Sequence, residues 1–343
     1  MPIYMYQPLT TLMRQTELLA YKSGFDKASR EQCSYLRLGM TLCSFLLEFN
    51  YWDIDRKTPI ESQIGETVEA FWEDARMIAE KVSNQPMVEL YFIEAEGYTI
   101  ESGVSVQPAF GFKSLKVLSK GATMVKYRKF DDKIVIRRPK VAIHNMMFGK
   151  TFLHQFGTYS AKNYKTGEVA EIHIKEKGLF GAADTNCTGT IKCPTGAVLL
   201  RFEGEYKTGI KIMSPGGECA YELKVAESAK KHEEFYRMPL VTRNTSFLNE
   251  DLLMSICPTD SRLRPDRIAL ENGDIEMAGK EKVRIDEMGA KREKELKKAK
   301  KEFEPRWFKK EHDEELGEDI WSYNRGYFEA RKQGSWGKCP TVF

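Results

Sequence analysis

The chain has 343 residues, of which 41% are hydrophobic and 30% charged, and aromatic residues occur from Tyr4 to Phe343. This composition is typical of a soluble globular protein and excludes a disordered chain. The net charge of +3 is too small for the strong field of a dedicated nucleic-acid binder, although it is compatible with brief contact with an anionic membrane. No apolar run approaches the roughly 20 residues that span a bilayer, so we expect no transmembrane helix.

The cysteines and the N-terminal sequence indicate the cellular compartment. The seven cysteines are odd in number and none has CxxC spacing, so the sequence predicts neither a zinc site nor a disulfide framework. The N-terminal "MPIYMYQPLTTLMRQ" lacks the basic and apolar regions of a signal peptide. We therefore expect a cytoplasmic protein in a reducing environment.

The predicted elements change character along the chain. Residues 9–50 carry apolar side chains at mixed spacings of three and four, which predicts two or three helices. An acidic stretch with a helical appearance then precedes "EKVSNQPM", residues 80–87. From about residue 88 to 213 the period becomes two, and turn signals separate segments such as "VELYFIEAE" and "KIVIRR". Many consecutive short strands indicate an antiparallel meander that curls into a barrel or splits into a sandwich.

A long charged helix is predicted after the strands. From Lys280 to Glu311 there are 13 Lys or Arg residues against 8 Asp or Glu residues. One interpretation is a solvated helix face with ion pairs between residues four apart. The other is a surface for anionic lipid headgroups. Aromatic residues return in the tail "WSYNRGYFEARKQGSWGKCPTVF", so we expect the C-terminus to pack against the rest of the protein.

Strong catalytic and cofactor motifs are absent from the sequence. It has no GxGxxG after a strand, no GxxxxGK[ST], no HExxH and no GxSxG. The five histidines have no ligand spacing, and His154 and His173 alternate within predicted strands, as structural or surface residues do. We therefore predict that the protein is not an enzyme and has no catalytic residues, no metal and no cofactor.

One long string identifies a family. "CPTDSRLRPDRIALENGD", residues 257–274, closely resembles the C-terminal signature of the oxysterol-binding protein related family. "FEPRWFKK" and the aromatic tail resemble the family's closing segment, and "PIESQIGET" resembles its KPxNPxLGE motif. "EKVSNQPM" occupies the place of its EQVSHHPP fingerprint in altered form. These motifs occur in the family's order, so the resemblance covers essentially the whole chain.

The resemblance implies a fold of the α+β class that is mainly β. It implies a single lipid-binding domain, residues 1–343, built around a near-closed antiparallel β-barrel that encloses an apolar lipid tunnel. We expect N-terminal helices in residues 1–55, the barrel in residues 56–235 and a helical C-terminal subdomain in residues 236–343. Barrel interiors present apolar side chains at every second strand position, which suits a lipid cargo.

The resemblance also implies lipid transfer. Members of the family carry a sterol or another lipid between membranes, and many exchange it for phosphatidylinositol 4-phosphate. We accordingly expect a bound, sterol-like lipid and no other cofactor. We expect the partners to be membrane lipids, met through transient peripheral contact, and a membrane-resident protein could be a further partner. Nucleic acid is not expected as a partner.

The family's headgroup residues are altered here at most positions. The lysine and asparagine of KPxNPxLGE fall on Thr58 and Glu61, which removes a cation and adds an anion. The two histidines of EQVSHHPP fall on Asn84 and Gln85, which offer only neutral hydrogen bonds to a phosphate. The resemblance therefore predicts that recognition of phosphatidylinositol 4-phosphate is weakened or lost.

A later helix of the family carries a lysine, an acidic residue and an arginine four residues apart. Here these positions are Lys282, Asp286 and Ala290, which share one helical face. The last cation is missing. Lys291 and Arg292 lie just beyond Ala290, and a small shift of register would bring one of them into the site.

Three alternatives stay open at this point. Asn84, Gln85 and Pro86 are common turn-forming residues and could serve only as a corner before a strand, and Glu61 could be an exposed loop acid. The apolar "MPIYMY" at the N-terminus could act as a short plug where the family has a longer lid. Finally, the protein could be a lipid sensor or an interaction scaffold in which occupancy of the barrel acts as a signal.

Overall fold

The computed structural model describes residues 1–52, 57–110, 114–144, 152–177, 184–226, 236, 238–337 and 339–343. The predicted segment boundaries at residues 55 and 235, and His232, lie outside these ranges. Within the described ranges, no helix is both long and apolar enough to cross a bilayer. The same ranges contain no group of three or more His, Cys, Asp and Glu side chains placed to hold a metal ion.

The N-terminal part is helical, as the mixed apolar spacing predicts, but it also contains a strand. Strand β1 pairs in parallel with β2, which joins the N-terminal residues to the segment just after residue 57. The bounds are a 3-10 helix Ile3–Met5, β1 Tyr6–Thr10, a 3-10 helix Met13–Tyr21, α1 Lys22–Arg30, α2 Ser34–Glu48, a 3-10 helix Phe49–Trp52 and β2 Thr58–Ile60.

A single large antiparallel sheet follows. Its strands are β3 Thr67–Trp72, β4 Ala75–Asn84, β5 Met87–Glu94, β6 Tyr98–Ser102, β7 Ser105–Phe110, β8 Ser114–Lys120, β9 Thr123–Tyr127, β10 Asp132–Arg137, β11 Lys140–His144, β12 Phe152–Asn163, β13 Val169–Ile174, β14 Asn186–Lys192, β15 Val198–Glu205, β16 Gly209–Met213 and β17 Cys219–Lys224. The order β10-β9-β6-β5-β7-β8-β11-β12 closes into a ring, because β10 also pairs with β12. From this ring the sheet continues through β13 to β17 on one side and through β4 to β3 on the other.

The stretch before Glu80 is not helical, so that expectation was wrong. It forms β3 and β4, which pair from Thr67 with Glu80 to Trp72 with Ala75. Its acidic residues Glu69 and Glu80 are 0% and 1% exposed. Most residues of both strands are buried, with Phe71 and Arg76 exposed at the outer end, so the two acids do not mark a solvent face.

The core fills the inside of the curved sheet. The helix α2 packs along β12 to β17, and one continuous apolar cluster joins the N-terminal helices to the inward side chains of the strands. Gly39 of α2 lies close to the strands β14 and β16, because a Cβ at this position would lie 2.7 Å from Ile191 Cδ1 and 2.8 Å from Ile212 Cδ1. The inward apolar residues alternate along the strands, as in Ala170, Ile172 and Ile174 of β13.

The C-terminal part consists of helices and one hairpin. Its elements are α3 Leu240–Ser246, α4 Glu250–Ser255, a 3-10 helix Ser261–Leu263, α5 Pro265–Glu271, α6 Ile275–Ala299, β18 Phe308–Asp313, β19 Glu318–Tyr323 and α7 Tyr327–Gln333. The predicted charged helix is α6, which ends at Ala299 because Lys300 adopts a left-handed conformation with φ 52°. Its first turns carry ion pairs such as Lys280 with Glu276 at 2.6 Å, as a solvated helix face does.

The signature segment that identifies the family is buried and holds the C-terminal part against the sheet. Arg264, fully buried, donates to Glu66 Oε2 at 2.8 Å and to Asp266 at 2.9 and 2.7 Å. Arg262 donates to both carboxylate oxygens of Asp260 at 2.9 Å. Burial raises the pKa of Glu66, while the Arg264 guanidinium opposes that shift.

The same network reaches the last helix. Glu69 Oε2 on β3 accepts hydrogen bonds from Tyr327 Oη at 3.0 Å and from Arg331 Nε at 2.7 Å. Arg262 Nη2 also lies 3.5 Å from Glu69 Oε1. The motif therefore has a structural role: Arg262 and Arg264 are paired with the buried acids Glu69 and Glu66, and α7 binds the same Glu69.

Candidate functional site

The altered fingerprint forms a hairpin corner. Asn84 at the end of β4 pairs with Met87 at the start of β5, and Gln85 and Pro86 make the turn between them through a cis peptide bond. Gln85 and Pro86 are exposed, whereas Asn84 is half-buried. The structure thus has the corner before a strand that the turn-forming residues suggested. Within this corner, Asn84 is the residue that faces the rest of the protein.

Asn84 contacts a carboxylate on α6. Its Nδ2 donates to Glu293 Oε1 at 2.5 Å, between residues 209 apart in sequence. Its Oδ1 is buried without a hydrogen-bond partner in the described part of the chain. The corner therefore presents an acceptor oxygen next to a carboxylate. Such a pair suits a group that donates hydrogen bonds and disfavours a phosphate, whose oxygens only accept.

The helix α6 also packs tightly on the loop after β2. A Cβ at Gly289 would lie 1.9 Å from Gln63 Oε1, so any larger residue there would displace the Gln63 side chain. Gln63 Nε2 donates to Asp286 Oδ1 at 3.3 Å, and Lys282 Nζ donates to Asp286 Oδ2 at 2.5 Å. Lys282 lies 5.3 Å from the Tyr6 ring centroid. The retained cation of the predicted site is thus paired within the protein.

The remaining predicted positions are exposed and contribute no cation. Thr58 lies on β2 opposite Tyr6, and Glu61 is held through its backbone, whose oxygen accepts from Arg264 Nη1 at 2.9 Å. Ala290 is exposed and borders a surface depression of about 580 Å³ together with Glu293 and the lysines 294, 297 and 298. Seven positions were predicted, and the structure connects three of them to α6: Lys282 and Asp286 lie on the helix, and Asn84 reaches it through Glu293.

Arg292 does not replace the cation that is missing at Ala290. Its guanidinium donates to the backbone oxygens of Thr341 at 2.8 Å and Val342 at 3.2 Å. Burial lowers the pKa of Arg292. Arg292 therefore fixes the C-terminal tail, while Lys291 is exposed on α6.

Three residues of this site were missed from the sequence: Gln63, Gly289 and Glu293. Glu293 lies two helical turns after Asp286, so a helical period would have placed it on the same face. Gln63 occupies a variable position of the motif that resembles KPxNPxLGE. Gly289 could have been found as an isolated glycine inside a predicted helix, since such a glycine often marks a position where another segment packs closely on the helix.

A polar cluster lies inside the sheet where α2 ends. Arg138 Nη2 donates to Glu48 Oε2 at 3.3 Å and to Tyr91 Oη at 3.2 Å. Burial raises the pKa of Glu48, although the Arg138 guanidinium opposes that shift. Among the described residues, Glu48 Oε1 and Arg138 Nε are buried without hydrogen-bond partners. The cluster therefore leaves one acceptor and one donor unpaired, and the buried residues Glu17 and Arg14 also act on the Glu48 carboxyl.

Known proteins share both the sequence and the fold. The family model described as oxysterol-binding protein matches residues 1–332. Oxysterol-binding protein-related protein 1C of Arabidopsis thaliana is 27% identical over 100% of this chain and 43% of its own length. Human oxysterol-binding protein-related protein 6 is 25% identical over 99% of this chain and 37% of its own length. This chain thus spans less than half the length of these two relatives.

Solved structures carry the same architecture. The Osh1 ORD domain in complex with cholesterol superposes with a TM-score of 0.86 at 21% identity, covering 100% of this chain and 86% of that one. The Osh3 ORD of Saccharomyces cerevisiae in complex with PI(4)P gives 0.81 at 22% identity, covering 100% and 91%. The predicted fold, mainly β with a near-closed barrel, N-terminal helices and C-terminal helices, is therefore confirmed. The chain belongs to the oxysterol-binding protein family.

Proposed function

We propose that this protein binds a sterol or a similar lipid inside its curved sheet and carries it between membranes. The observation that carries the proposal is the match of the whole chain to a family whose solved relative Osh1 holds cholesterol in the same fold. The continuous apolar cluster inside the sheet supports it, because each buried methylene of a lipid contributes about 0.8 kcal/mol. No cofactor and no enzymatic step belong to this mechanism.

The polar cluster at Glu48 and Arg138 supports a cargo with one polar group. A buried acceptor and donor without partners are costly, and a single hydroxyl can satisfy both. A sterol meets this description, since its hydroxyl is its only polar group. A phospholipid would bring several charged oxygens into the same surroundings, next to the Glu48 carboxylate.

We also propose that recognition of phosphatidylinositol 4-phosphate is weak or lost. Glu293 is hydrogen-bonded to Asn84 where the family has histidine, and Asp286 neutralises Lys282. Ala290 and Thr58 supply no charge where the family has cations. Because charge-assisted hydrogen bonds are roughly twice as strong as neutral ones, a phosphate monoester would gain little here.

The protein would act in the cytoplasm and contact membranes peripherally. The 3-10 helix Ile3–Met5 packs on α6 through Ile3 and Ala278, while Tyr4 and Met277 remain 59% and 47% exposed. Exposed apolar side chains beside the lysines of α6 are suited to brief contact with an anionic membrane. Membrane lipids, and a membrane-resident protein that selects the membrane, would be the partners.

Native mass spectrometry of the protein purified from its source cell tests the cargo. The expected result is one bound lipid with the mass of a sterol. Recovery of phosphatidylinositol 4-phosphate as the main ligand would contradict the proposal. A lipid that binds tightly but does not move between vesicles would favour the alternative of a lipid sensor.

A further inference from the structure

Two thiols meet where the C-terminal tail crosses the start of the signature segment. Cys257 Sγ lies 3.8 Å from Cys339 Sγ, although the residues are 82 apart in sequence. Both cysteines are free. A disulfide bond requires a separation of about 2.05 Å, so the two sulfurs need to approach by only about 2 Å.

Cys257 belongs to a fixed part of the fold. It is fully buried, and its Sγ lies 3.1 Å from Thr259 Oγ1. Thr259 is in turn bonded to β3, because its backbone oxygen accepts from Thr67 N at 2.9 Å and its hydroxyl meets that of Thr67 at 2.9 Å. The strand therefore holds this thiol in place.

Cys339 is partly accessible and lies in the tail. Arg306 Nη1 lies 2.7 Å from its sulfur, and the Arg306 guanidinium also donates to the backbone oxygen of Trp336. Further along, Arg292 donates to the backbone oxygens of Thr341 and Val342. Both ends of the tail are thus anchored, which keeps Cys339 opposite Cys257.

We propose that Cys257 and Cys339 are a modification site at which a peroxide forms a reversible disulfide. The accessible Cys339 sulfur attacks one oxygen of the peroxide, the O–O bond breaks, and a sulfenic acid and water result. The Cys257 sulfur then attacks the Cys339 sulfur, the S–S bond forms and the S–O bond breaks. The departing hydroxide takes the Cys257 proton as a second water. Two thiols lose two electrons, and one hydrogen peroxide becomes two waters.

The order of these steps follows from burial. Desolvation raises the pKa of Cys257 to about 12, so that residue stays a thiol and is hidden from the oxidant. Other buried thiols such as Cys43 and Cys187 are equally hidden, at 0% exposure. Cys219 is exposed and serves as a control for an accessible thiol.

The bond would close a loop that contains α5, α6, the β18–β19 hairpin and α7. Pro340, next to Cys339, lines a cavity of about 360 Å³ with Gln63, Gly289, Leu296 and Phe303. Oxidation would therefore fasten the tail to the start of the signature segment, beside the cavity that Gln63 and α6 line. This inference depends on the two thiols and their surroundings, and it holds whichever lipid the protein carries.

The test uses the full chain, reduced and then exposed to hydrogen peroxide, with free thiols alkylated afterwards. We expect the loss of two hydrogen masses, one linked peptide pair that joins Cys257 to Cys339, and reversal by dithiothreitol. The C219S variant should behave as the wild type. In C257S, the linked pair should disappear and dimedone should label Cys339 as a sulfenic acid.

Hydrogen exchange of the wild type gives a second readout that needs no variant. Amides of residues 339–343 and of the second half of α6 should exchange more slowly after oxidation than before. The proposal would be overturned if both thiols remained fully alkylatable after peroxide. It would equally be overturned if the linked peptides joined other cysteines, or if Cys339 were oxidised to sulfinic acid in the wild type as fast as in C257S.

Discussion

Asn84 at the β4–β5 corner and Glu293 on α6 are hydrogen-bonded at 2.5 Å, and this contact joins the corner to the helix. A carboxylate thus lies beside Asn84, the position at which the family has a histidine. This pair of side chains should affect the binding of anionic ligands. The Glu293 carboxylate disfavours an anion beside it, and the buried Asn84 oxygen has no partner among the described residues.

Restoring the family's residues should restore binding of the phosphoinositide. We predict that a variant with five substitutions binds vesicles containing phosphatidylinositol 4-phosphate at least about tenfold more tightly than the wild type. Its two added cations and two added histidines should contribute more than about 1.4 kcal/mol to the binding free energy. The variant combines Thr58→Lys, Glu61→Asn, Asn84→His, Gln85→His and Ala290→Arg. Glu293→Gln added to this variant should tighten binding further. Vesicle sedimentation measures both effects.

The matched control for Glu293 is Glu287→Gln, which removes an exposed acid from the same helix. If the two glutamine variants gain equally, the effect is one of net charge and the assignment of Glu293 is wrong.

The polar cluster predicts selectivity for a hydroxyl. The wild type should bind cholesterol about tenfold or more tightly than cholestane, which lacks the hydroxyl, because hydrogen bonds to charged groups contribute about 1.5–3 kcal/mol. The double variant Glu48→Leu/Arg138→Leu should lose this preference while keeping the apolar interior. Competition against a fluorescent sterol measures it. Equal preference in both proteins would show that the cargo does not use this cluster.

The buried charge network predicts a large loss of stability at Arg264. Arg264→Met leaves Glu66 and Asp266 buried without their partner, which typically costs about 3–5 kcal/mol in the free energy of unfolding. The control Arg284→Met removes an ion pair whose arginine is 44% exposed, and it should cost no more than about 1 kcal/mol. Urea unfolding compares the two. Similar small losses would mean that the network is dispensable.

The sequence motifs predicted the fold better than the ligand, because the motif residues have different roles. Glu66 and Glu80, which match the family motifs, are buried and hydrogen-bonded to the C-terminal part. Three of the residues that differ from the motifs, Thr58, Glu61 and Gln85, are exposed, whereas Asn84 is half-buried. The buried motif residues therefore allowed the fold to be predicted from the resemblance. The altered surface residues did not identify the ligand.

The rest could not be predicted because it depends on contacts between distant segments. The Asn84–Glu293 bond joins residues 209 apart, and the two thiols are 82 apart. Glu69 on β3 is likewise bound by Arg331 and Tyr327, which lie about 260 residues later in the chain. The division into segments at residues 55 and 235, and the plugging role of "MPIYMY", stay predictions.

Glu80 predicts how stability changes with pH. Burial raises its pKa from the ordinary value of 4.5 to about 7, although two backbone amides donate to it. The folded protein therefore holds this proton more tightly than the unfolded chain. The stabilising contribution is complete below about pH 4.5 and is lost as the pH rises through 7.

Glu80→Gln removes this titration. Between pH 5 and pH 8, the free energy of unfolding of the wild type should fall by about 2.5 kcal/mol more than that of the variant, since one pKa unit corresponds to about 1.36 kcal/mol. Urea unfolding at a series of pH values measures the difference. Parallel profiles for the two proteins would refute the role of Glu80.

The central claim is lipid transfer without phosphoinositide exchange. The most direct measurement follows a fluorescent sterol as the protein moves it from donor to acceptor liposomes, with and without phosphatidylinositol 4-phosphate in the acceptor. We predict transfer well above the protein-free rate and the same rate in both acceptors. Transfer that requires the phosphoinositide, or sterol movement no faster than without protein, would contradict the account.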